Sequence, residues 1–245
     1  MEKQKSTYGR LMDVLYIVGT GSVCFNQELQ YSLRSLEKYG NGYNRVFITG
    51  ECPNFVKKSS VVYTQANDIG CRAINHWWKV NETIKRTDIS SEFVLMYDDI
   101  FFCKEVDFRR YPWYYRGELS SEPPKNLYQM MLSNTRNYLL ENNEPTKNYT
   151  CHFPCIYKRN EFEQLEPIFE KYKQDNVGLS VRCVYGNMFK HPSEQRDDIK
   201  VRSNISDIDS LVKTTECFST ADYCFDGTVK DWCLKEFTEK SRWEK

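Results

Sequence analysis

The chain has 245 residues, and its 34 Lys and Arg residues balance 34 Asp and Glu residues, which gives a formal net charge of +0. This balance argues against a protein that binds nucleic acid or anionic membranes through a general basic excess. Hydrophobic residues make up 40% of the chain and aromatic residues 15%, too many for a disordered protein. We therefore expect a globular protein with a buried core.

The first half of the chain predicts alternating strands and helices. Short apolar runs bounded by turn residues predict four strands, at 13–18, 45–49, 60–64 and 92–97. Two amphipathic segments predict helices, one from Asn26 as its N-cap to Tyr39 and one from Asp68 to about Lys85. This alternation predicts an α/β fold with a mostly parallel sheet flanked by helices.

The second half of the chain is less regular and predicts a mixture of helices and short strands. Helices are predicted at 125–141, 161–173, 177–189 and 230–239. No repeat or Pro/Gly-rich linker divides the sequence, so a single domain over 1–245 is expected, with a change of region near 111–124.

Ten cysteines are spread along the chain without a C-x-x-C pair, so a structural zinc site is not expected. The first residues are charged, and no apolar segment long enough for a signal peptide or a membrane span follows them. We therefore predict a cytoplasmic protein with free thiols and no transmembrane segment.

Polar residues follow the first and fourth predicted strands, at the edge where ligands bind to parallel sheets. Gly19, Thr20 and Gly21 follow the first strand, and Asp98 and Asp99 follow the fourth. Two adjacent carboxylates beside a core repel each other, and Mg²⁺ or Mn²⁺ would relieve that repulsion and could hold a diphosphate. The alternative is a polar turn in which one Asp caps backbone N–H groups.

The second predicted helix carries polar residues near its N-terminus. Arg72, Asn75, His76 and Lys79 lie about one turn apart, so they could approach phosphates at the same edge. An ordinary solvated helix face is the alternative. The glycine loop at 19–21 could let backbone N–H groups meet a nucleotide, but it has neither the dinucleotide-binding nor the Walker spacing.

Two residues of the second half are candidates for proton transfer. His152 is one of three histidines, and imidazole is the natural base near neutral pH. Asp226 could complete a metal or donor site, although the following Gly227 is equally typical of a turn. The segment at 109–116 combines aromatic residues with arginines, which suits either an acceptor surface or a packed core.

Three segments resemble the Stealth family of sugar-phosphate transferases: ELQYSLRSLEKY at 28–39, RVFITG at 45–50 and FVLMYDDIFF at 93–102. Their order and spacing match over roughly residues 13–107. The His152-Phe-Pro sequence is similar to a later His-x-Pro element of the family, and the resemblance places Arg182 near the arginine of that element. The family's W-V-D-G after the opening strand reads V-G-T-G here. The shared part is similar to GT-A glycosyltransferases, whose acidic pair binds a metal and the donor diphosphate.

The resemblance implies a GT-A-like α/β fold, with a nucleotide-sugar-binding half at 1–110 and an acceptor-side half at 111–245. It implies metal-assisted transfer of a sugar from a nucleoside-diphosphate donor, with a UDP-sugar favoured, to a glycan or another hydroxyl acceptor. The implied cofactor is Mn²⁺ or Mg²⁺ on Asp98 and Asp99. Donor binding is predicted for Gly19, Thr20, Gly21, Arg72, Asn75, Lys79 and Asp98. His152 is the preferred general base, and Asp226 competes for that role.

Three alternatives stay open. The first is a Stealth-type sugar-1-phosphate transferase of polysaccharide synthesis, which would release a nucleoside monophosphate. The second is a non-catalytic domain that binds a partner through the segment at 109–116. The third is a nucleic-acid hydroxyl as the acceptor, which the neutral charge disfavours because enzymes that act on DNA need a basic footprint.

Overall fold

The computed structural model describes residues 11–203, 205–225 and 227–245. The elements of the first half are β1 (Met12–Val18), α1 (Gln27–Tyr39), β2 (Gly40–Asn41), β3 (Tyr43–Gly50), β4 (Val62–Thr64), α2 (Arg72–Arg86), β5 (Glu92–Tyr97), β6 (Ile100–Phe102) and β7 (Val106–Asp107). Those of the second half are β8 (Trp113–Tyr115), α3 (Leu127–Glu141), β9 (Cys155–Lys158), α4 (Arg159–Glu163), α5 (Glu166–Lys171), α6 (Val181–Met188), β10 (Ser193–Gln195), β11 (Lys200–Val201), α7 (Ile208–Thr214), β12 (Cys217–Thr220) and α8 (Gly227–Glu236).

The central sheet has the strand order β4-β3-β1-β5-β9. Strands β1, β3, β4 and β5 run parallel, and β9 joins β5 antiparallel. In the register, Ile17 of β1 lies beside Tyr97 of β5, and Val18 lies beside Gly50 of β3. The loops that follow β1 and β5 therefore start next to each other, as the sequence predicts.

Helices cover both faces of the sheet. On one face Leu29 and Leu33 of α1 pack with Tyr16 in one buried cluster, and on the other Trp77 of α2 packs with Leu15 in a second. Since neighbouring residues of β1 enter different clusters, both faces of the strand are buried. This explains why the strand reads as a continuous apolar run rather than an alternating one.

Smaller sheets extend the molecule beyond the central one. Strands β11, β12 and β6 form a three-stranded sheet. Its strand β6 starts at Ile100, directly after the acidic pair. A third cluster of buried residues joins this sheet to α8 through Phe101, Phe218 and Trp232. Strands β11 and β12 are therefore held next to β6, which directly follows the acidic pair.

Two predicted helices begin later than the sequence indicates. Helix α2 starts at Arg72 rather than Asp68, because the Asn75 side chain accepts hydrogen bonds from the N–H groups of Ile69 and Gly70 and holds them in a turn. Helix α6 starts at Val181 rather than 177, with Ser180 as its cap.

Other element predictions need correction as well. The helix predicted at 161–173 is two helices, α4 and α5, and Pro167 in the first turn of α5 cannot continue the preceding hydrogen-bond ladder. Helix α8 spans 227–236 instead of 230–239. Asn26 precedes α1 but makes no side-chain cap hydrogen bond, and its φ is 58°, so its predicted role as a cap is wrong.

The aromatic segment at 109–116 belongs mostly to the packed interior. Tyr111 and Trp113 are buried, and Arg109 is paired with Asp107. All ten cysteines are free thiols. Within the described ranges, no helix combines the length and the apolar character that crossing a membrane requires.

Gly50, at the end of β3, should be required for stability. Its φ is +102°, and an added Cβ would lie 2.1 Å from the Val18 carbonyl oxygen. We expect Gly50→Ala to lower the free energy of unfolding by at least about 2 kcal/mol in guanidinium titrations followed by circular dichroism. Gly21→Ala is the matched control, because a Cβ at Gly21 would meet nothing within 4 Å. Equal losses in the two variants would contradict this account.

Candidate functional site

A cavity of about 540 Å³ opens at the carboxyl edge of the central sheet. The loop after β1, the end of β5 and the first turns of α2 and α6 line it. The predicted site residues brought together at this cavity are Gly19, Thr20, Gly21, Arg72, Asn75, Lys79, Asp98, Asp99 and His152. Asp226, the other predicted catalytic residue, lies outside the described residues.

The acidic pair directly follows β5, with Asp98 half-buried and Asp99 buried. The Lys200 Nζ lies 2.8 Å from Asp99 Oδ2, and His152 Nδ1 lies 3.5 Å from the same oxygen. Burial by itself would raise the pKa of Asp99, but the contacts with His152 and Lys200 outweigh it and lower that pKa to about 2. Asp99 is therefore ionised at neutral pH.

The acidic pair has an unused ligand atom. Asp99 Oδ1 is buried and has no hydrogen-bond partner among the described residues. A hard divalent cation such as Mg²⁺ or Mn²⁺ fits this oxygen and the adjacent Asp98 carboxylate. No group of three or more His, Cys, Asp or Glu side chains that could hold a metal occurs in the described part of the chain. The described residues thus supply only part of a coordination shell, which substrate oxygens or water could complete.

His152 lies beside the acidic pair. Its side chain is 27% exposed, and its ring lies 5.6 Å from that of Tyr97. Lys200 Nζ is 3.2 Å from Nδ1. Burial lowers the pKa of His152, and the neighbouring cations of Lys200 and Arg182 lower it further, against the opposing effect of Asp99. The imidazole is therefore neutral at neutral pH and can accept a proton.

The loop after β1 is anchored at its far end and exposed at the cavity. Ser22 Oγ lies 3.0 Å from both carboxylate oxygens of Glu28 and accepts a hydrogen bond from the backbone N–H of Asn26 at 2.9 Å. These contacts fix the loop to the start of α1. Residues Gly19 and Gly21 remain exposed, so their backbone is accessible to a ligand.

The predicted donor-binding residues of α2 differ in how far contacts within the protein already use their side chains. Lys79 is buried, donates to the Val18 carbonyl at 2.9 Å and pairs with Asp68 at 2.6 Å. Asn75 uses both polar atoms of its side chain on the preceding turn. Arg72 is exposed and forms no ion pair with any residue that the structure describes. Arg72 is thus the best placed of the three to meet a phosphate, and the predicted donor contacts of Lys79 and Asn75 stay predictions.

Two cations at the cavity are absent from the predicted site. Lys200 lies in the short strand β11, and Arg182 lies in the first turn of α6. Nothing in the local sequence distinguishes Lys200 from a surface lysine. Arg182 is not among the predicted site residues, although the family resemblance places it near an arginine of that family. It is also the charged residue within the apolar run Leu-Ser-Val-Arg-Cys-Val-Tyr.

The comparisons with known proteins match this chain through its structure. No family model and no curated protein matches the chain. The galactosyltransferase LgtC in complex with donor and acceptor sugar analogues matches with a TM-score of 0.51 and 8% identity, over 94% of this chain and 98% of that one. An active-site mutant of LgtC gives 0.50 with the same identity and coverage. The chain has a GT-A-like fold.

The glycosyltransferase GlyE from Streptococcus pneumoniae TIGR4 is a further match, with a TM-score of 0.41 and 7% identity over 78% of this chain. The chain spans 46% of the length of GlyE. At 8% identity the similarity to LgtC concerns the fold alone. It confirms the predicted GT-A-like α/β class, while the resemblance to the Stealth family stays a prediction.

His76 should make stability depend on pH. Its Nδ1 lies 3.2 Å from the Tyr97 hydroxyl, and burial together with the charge of Arg182 lowers its pKa from 6.5 to about 3. Below pH 6.5 the His76 imidazole therefore binds a proton in the unfolded chain but stays neutral in the folded chain. As the pH decreases below 6.5, His76 alone lowers the free energy of unfolding by up to about 1.4 kcal/mol for each pH unit.

We expect His76→Gln to flatten the dependence of the free energy of unfolding on pH between about pH 6 and 4. Urea titrations at several pH values would measure the slope for both proteins. Parallel curves for the wild type and the variant would mean that His76 is protonated in the folded chain.

Proposed function

We propose that the chain is a glycosyltransferase that moves a sugar from a nucleoside-diphosphate donor, with a UDP-sugar favoured, to a hydroxyl acceptor. The observation that carries this proposal is the acidic pair Asp98 and Asp99, which lies at the end of β5 and lines a cavity that the exposed loop after β1 also borders. The GT-A-like fold, shared with LgtC, supports it.

The geometry suggests how a donor lies in the cavity. Its diphosphate would lie between the acidic pair and Arg72, and its nucleoside would lie against Gly19 and Gly21. Asp98 and Asp99 Oδ1 would hold Mn²⁺ or Mg²⁺, which when bound supplies positive charge that stabilises a departing diphosphate. Lys79 holds the end of β1 in position by donating a hydrogen bond to the Val18 carbonyl.

His152 is the proposed proton acceptor for the attacking hydroxyl. A neutral imidazole at the edge of the cavity can take that proton, and the Asp99 carboxylate beside it would stabilise the imidazolium that forms. The acceptor would approach past Tyr128 and Thr150, which line the cavity and are hydrogen-bonded to each other at 2.9 Å. Asp226 remains the competing candidate.

The first test measures metal-dependent binding of the donor. A nucleotide sugar at a hundred times its Kd should stabilise the wild type by about 2.7 kcal/mol in thermal-shift experiments with Mn²⁺. We expect Asp98→Asn and Asp99→Asn to lose the part of the shift that depends on the metal. Asp88→Asn is the matched control, because Asp88 is exposed and pairs with Arg45 before β5. A full shift in both site variants would rule out the acidic pair as the metal site.

The identity of the released nucleotide tests the reaction type. Glycosyl transfer releases a nucleoside diphosphate, whereas transfer of a sugar 1-phosphate releases a nucleoside monophosphate. Chromatography of the products formed from the donor that binds in the first test would distinguish the two. Release of the monophosphate would replace the proposed reaction by the Stealth-type alternative.

The role of His152 is tested by separating binding from turnover. We expect His152→Gln to lower kcat by about 10²- to 10⁴-fold, because the hydroxyl then loses its proton acceptor. The affinity for the nucleotide sugar should stay close to that of the wild type, as measured by calorimetry. Unchanged kcat would move the role of base to Asp226, and joint loss of affinity and kcat would place His152 in donor binding instead.

A further inference from the structure

Arg182 is a buried cation that forms no ion pair with any residue the structure describes. Its residue surface is 3% exposed, and it lines the cavity from the first turn of α6. Its Nη1 donates to the carbonyl of Cys151, and its Cζ lies 4.3 Å from the centre of the Tyr97 ring. Its Nε and Nη2 are buried and have no hydrogen-bond partner in the described part of the chain.

The groups around Arg182 do not neutralise it. The neighbours that act on it most strongly and could carry a negative charge are Cys151, Cys155, Tyr97 and Tyr157. Burial raises the pKa of each of these thiols and phenols, to about 12 for Tyr97 and for Cys151. They are therefore neutral at physiological pH, and their dipoles alone face the guanidinium charge.

Other shielded cations of the protein each have a carboxylate. Lys79 pairs with Asp68, Lys200 pairs with Asp99, and Arg34 pairs with Glu244 at 2.7 Å. Buried cations in proteins are as a rule paired in this way, because an isolated charge is costly to remove from water. No carboxylate among the described residues forms an ion pair with Arg182. It lines the same cavity as Lys79 and Lys200 but differs from them in having two buried nitrogen atoms without a hydrogen-bond partner among those residues.

We propose that Arg182 binds an anionic oxygen group of the donor, a phosphate or a carboxylate, at the inner end of the cavity. This proposal rests on the proposed function for the identity of the ligand. A guanidinium presents forked N–H donors that match both kinds of anion, and the N-terminal turn of α6 adds positive partial charge at the same place. The anion is either the donor diphosphate or a carboxylate on the donor sugar.

Calorimetry with Arg182→Met would test the proposal and distinguish the two sources. UDP, UDP-glucose and UDP-glucuronate serve as probes, each with Mn²⁺. We expect at least about tenfold weaker binding for the affected ligands, as is typical for the loss of a charged hydrogen bond. Equal weakening of all three assigns Arg182 to the diphosphate, and weakening of UDP-glucuronate alone assigns it to a sugar carboxylate. Wild-type affinity for every probe would overturn the proposal.

Arg34→Met is the control for a structural role. It leaves the buried Glu244 carboxylate without its partner, so it should be less stable than the wild type but bind the probes normally. Arg182→Met removes a charge that has no ionised partner among the described residues, so its unfolding midpoint without ligand should equal or exceed that of the wild type. If Arg182→Met does not fold, Arg182→Lys is used instead, because an ammonium lacks the forked N–H donors of a guanidinium. For the proposal to stand, this variant must bind the probes more weakly than the wild type.

A second measurement separates this proposal from the proposed function. Inorganic pyrophosphate and glucuronate, at constant ionic strength and without metal, are tested for a rise in the thermal midpoint of the wild type that disappears in Arg182→Met. Such a rise supports the anion site even if no nucleotide sugar binds. If neither these anions nor the nucleotides distinguish the two proteins, Arg182 has no anion-binding role.

Discussion

The buried ammonium of Lys79 fixes the geometry on which the cavity depends. It donates to the carbonyl of Val18 where β1 ends, and it pairs with Asp68 from the loop before α2. Gly50, at the end of β3, lies so close that a Cβ there would come within 3.1 Å of Nζ. One charge therefore joins two strand ends, one loop and one helix. The Val18 carbonyl also accepts the backbone N–H of Glu51 at 3.3 Å, so two hydrogen bonds fix the point where the loop at 19–21 leaves the sheet.

A second ionic contact brings the two halves of the chain together at the same edge. Lys200 reaches Asp99 from β11, about one hundred residues further along the chain, and His152 contacts both. The acidic pair is thereby held between the central sheet and the smaller sheet of β11, β12 and β6. Because the ammonium occupies Asp99 Oδ2 and leaves Oδ1 without a partner, a metal and Lys200 can share one carboxylate, each on its own oxygen.

The sequence predicts what depends on local pattern and fails where distant segments meet. Buried strands such as β1 and β5 are visible as apolar runs, and the acidic pair is visible because two carboxylates follow one of them. Lys79 looks like one more basic residue of a helix face, since its burial depends on Asp68 and on the end of β1. Lys200 is unpredictable for the same reason, because only the folded chain brings it to Asp99. Helix boundaries differ where a side chain such as Asn75 competes for backbone N–H groups.

Arg72 and Arg182 both line the cavity, and neither forms an ion pair within the described part of the chain, but the free-energy cost of this differs between them. Arg72 is exposed, so water solvates it and leaving it unpaired costs little. Arg182 is enclosed by neutral phenols, thiols and a backbone carbonyl, which replace only part of the water it has lost. A contact between Arg182 and an anion would lie in a low-dielectric site, where a charged interaction is stronger than in water. The exposed Arg72 would therefore attract an anionic ligand to the cavity. The desolvated Arg182 would then bind it.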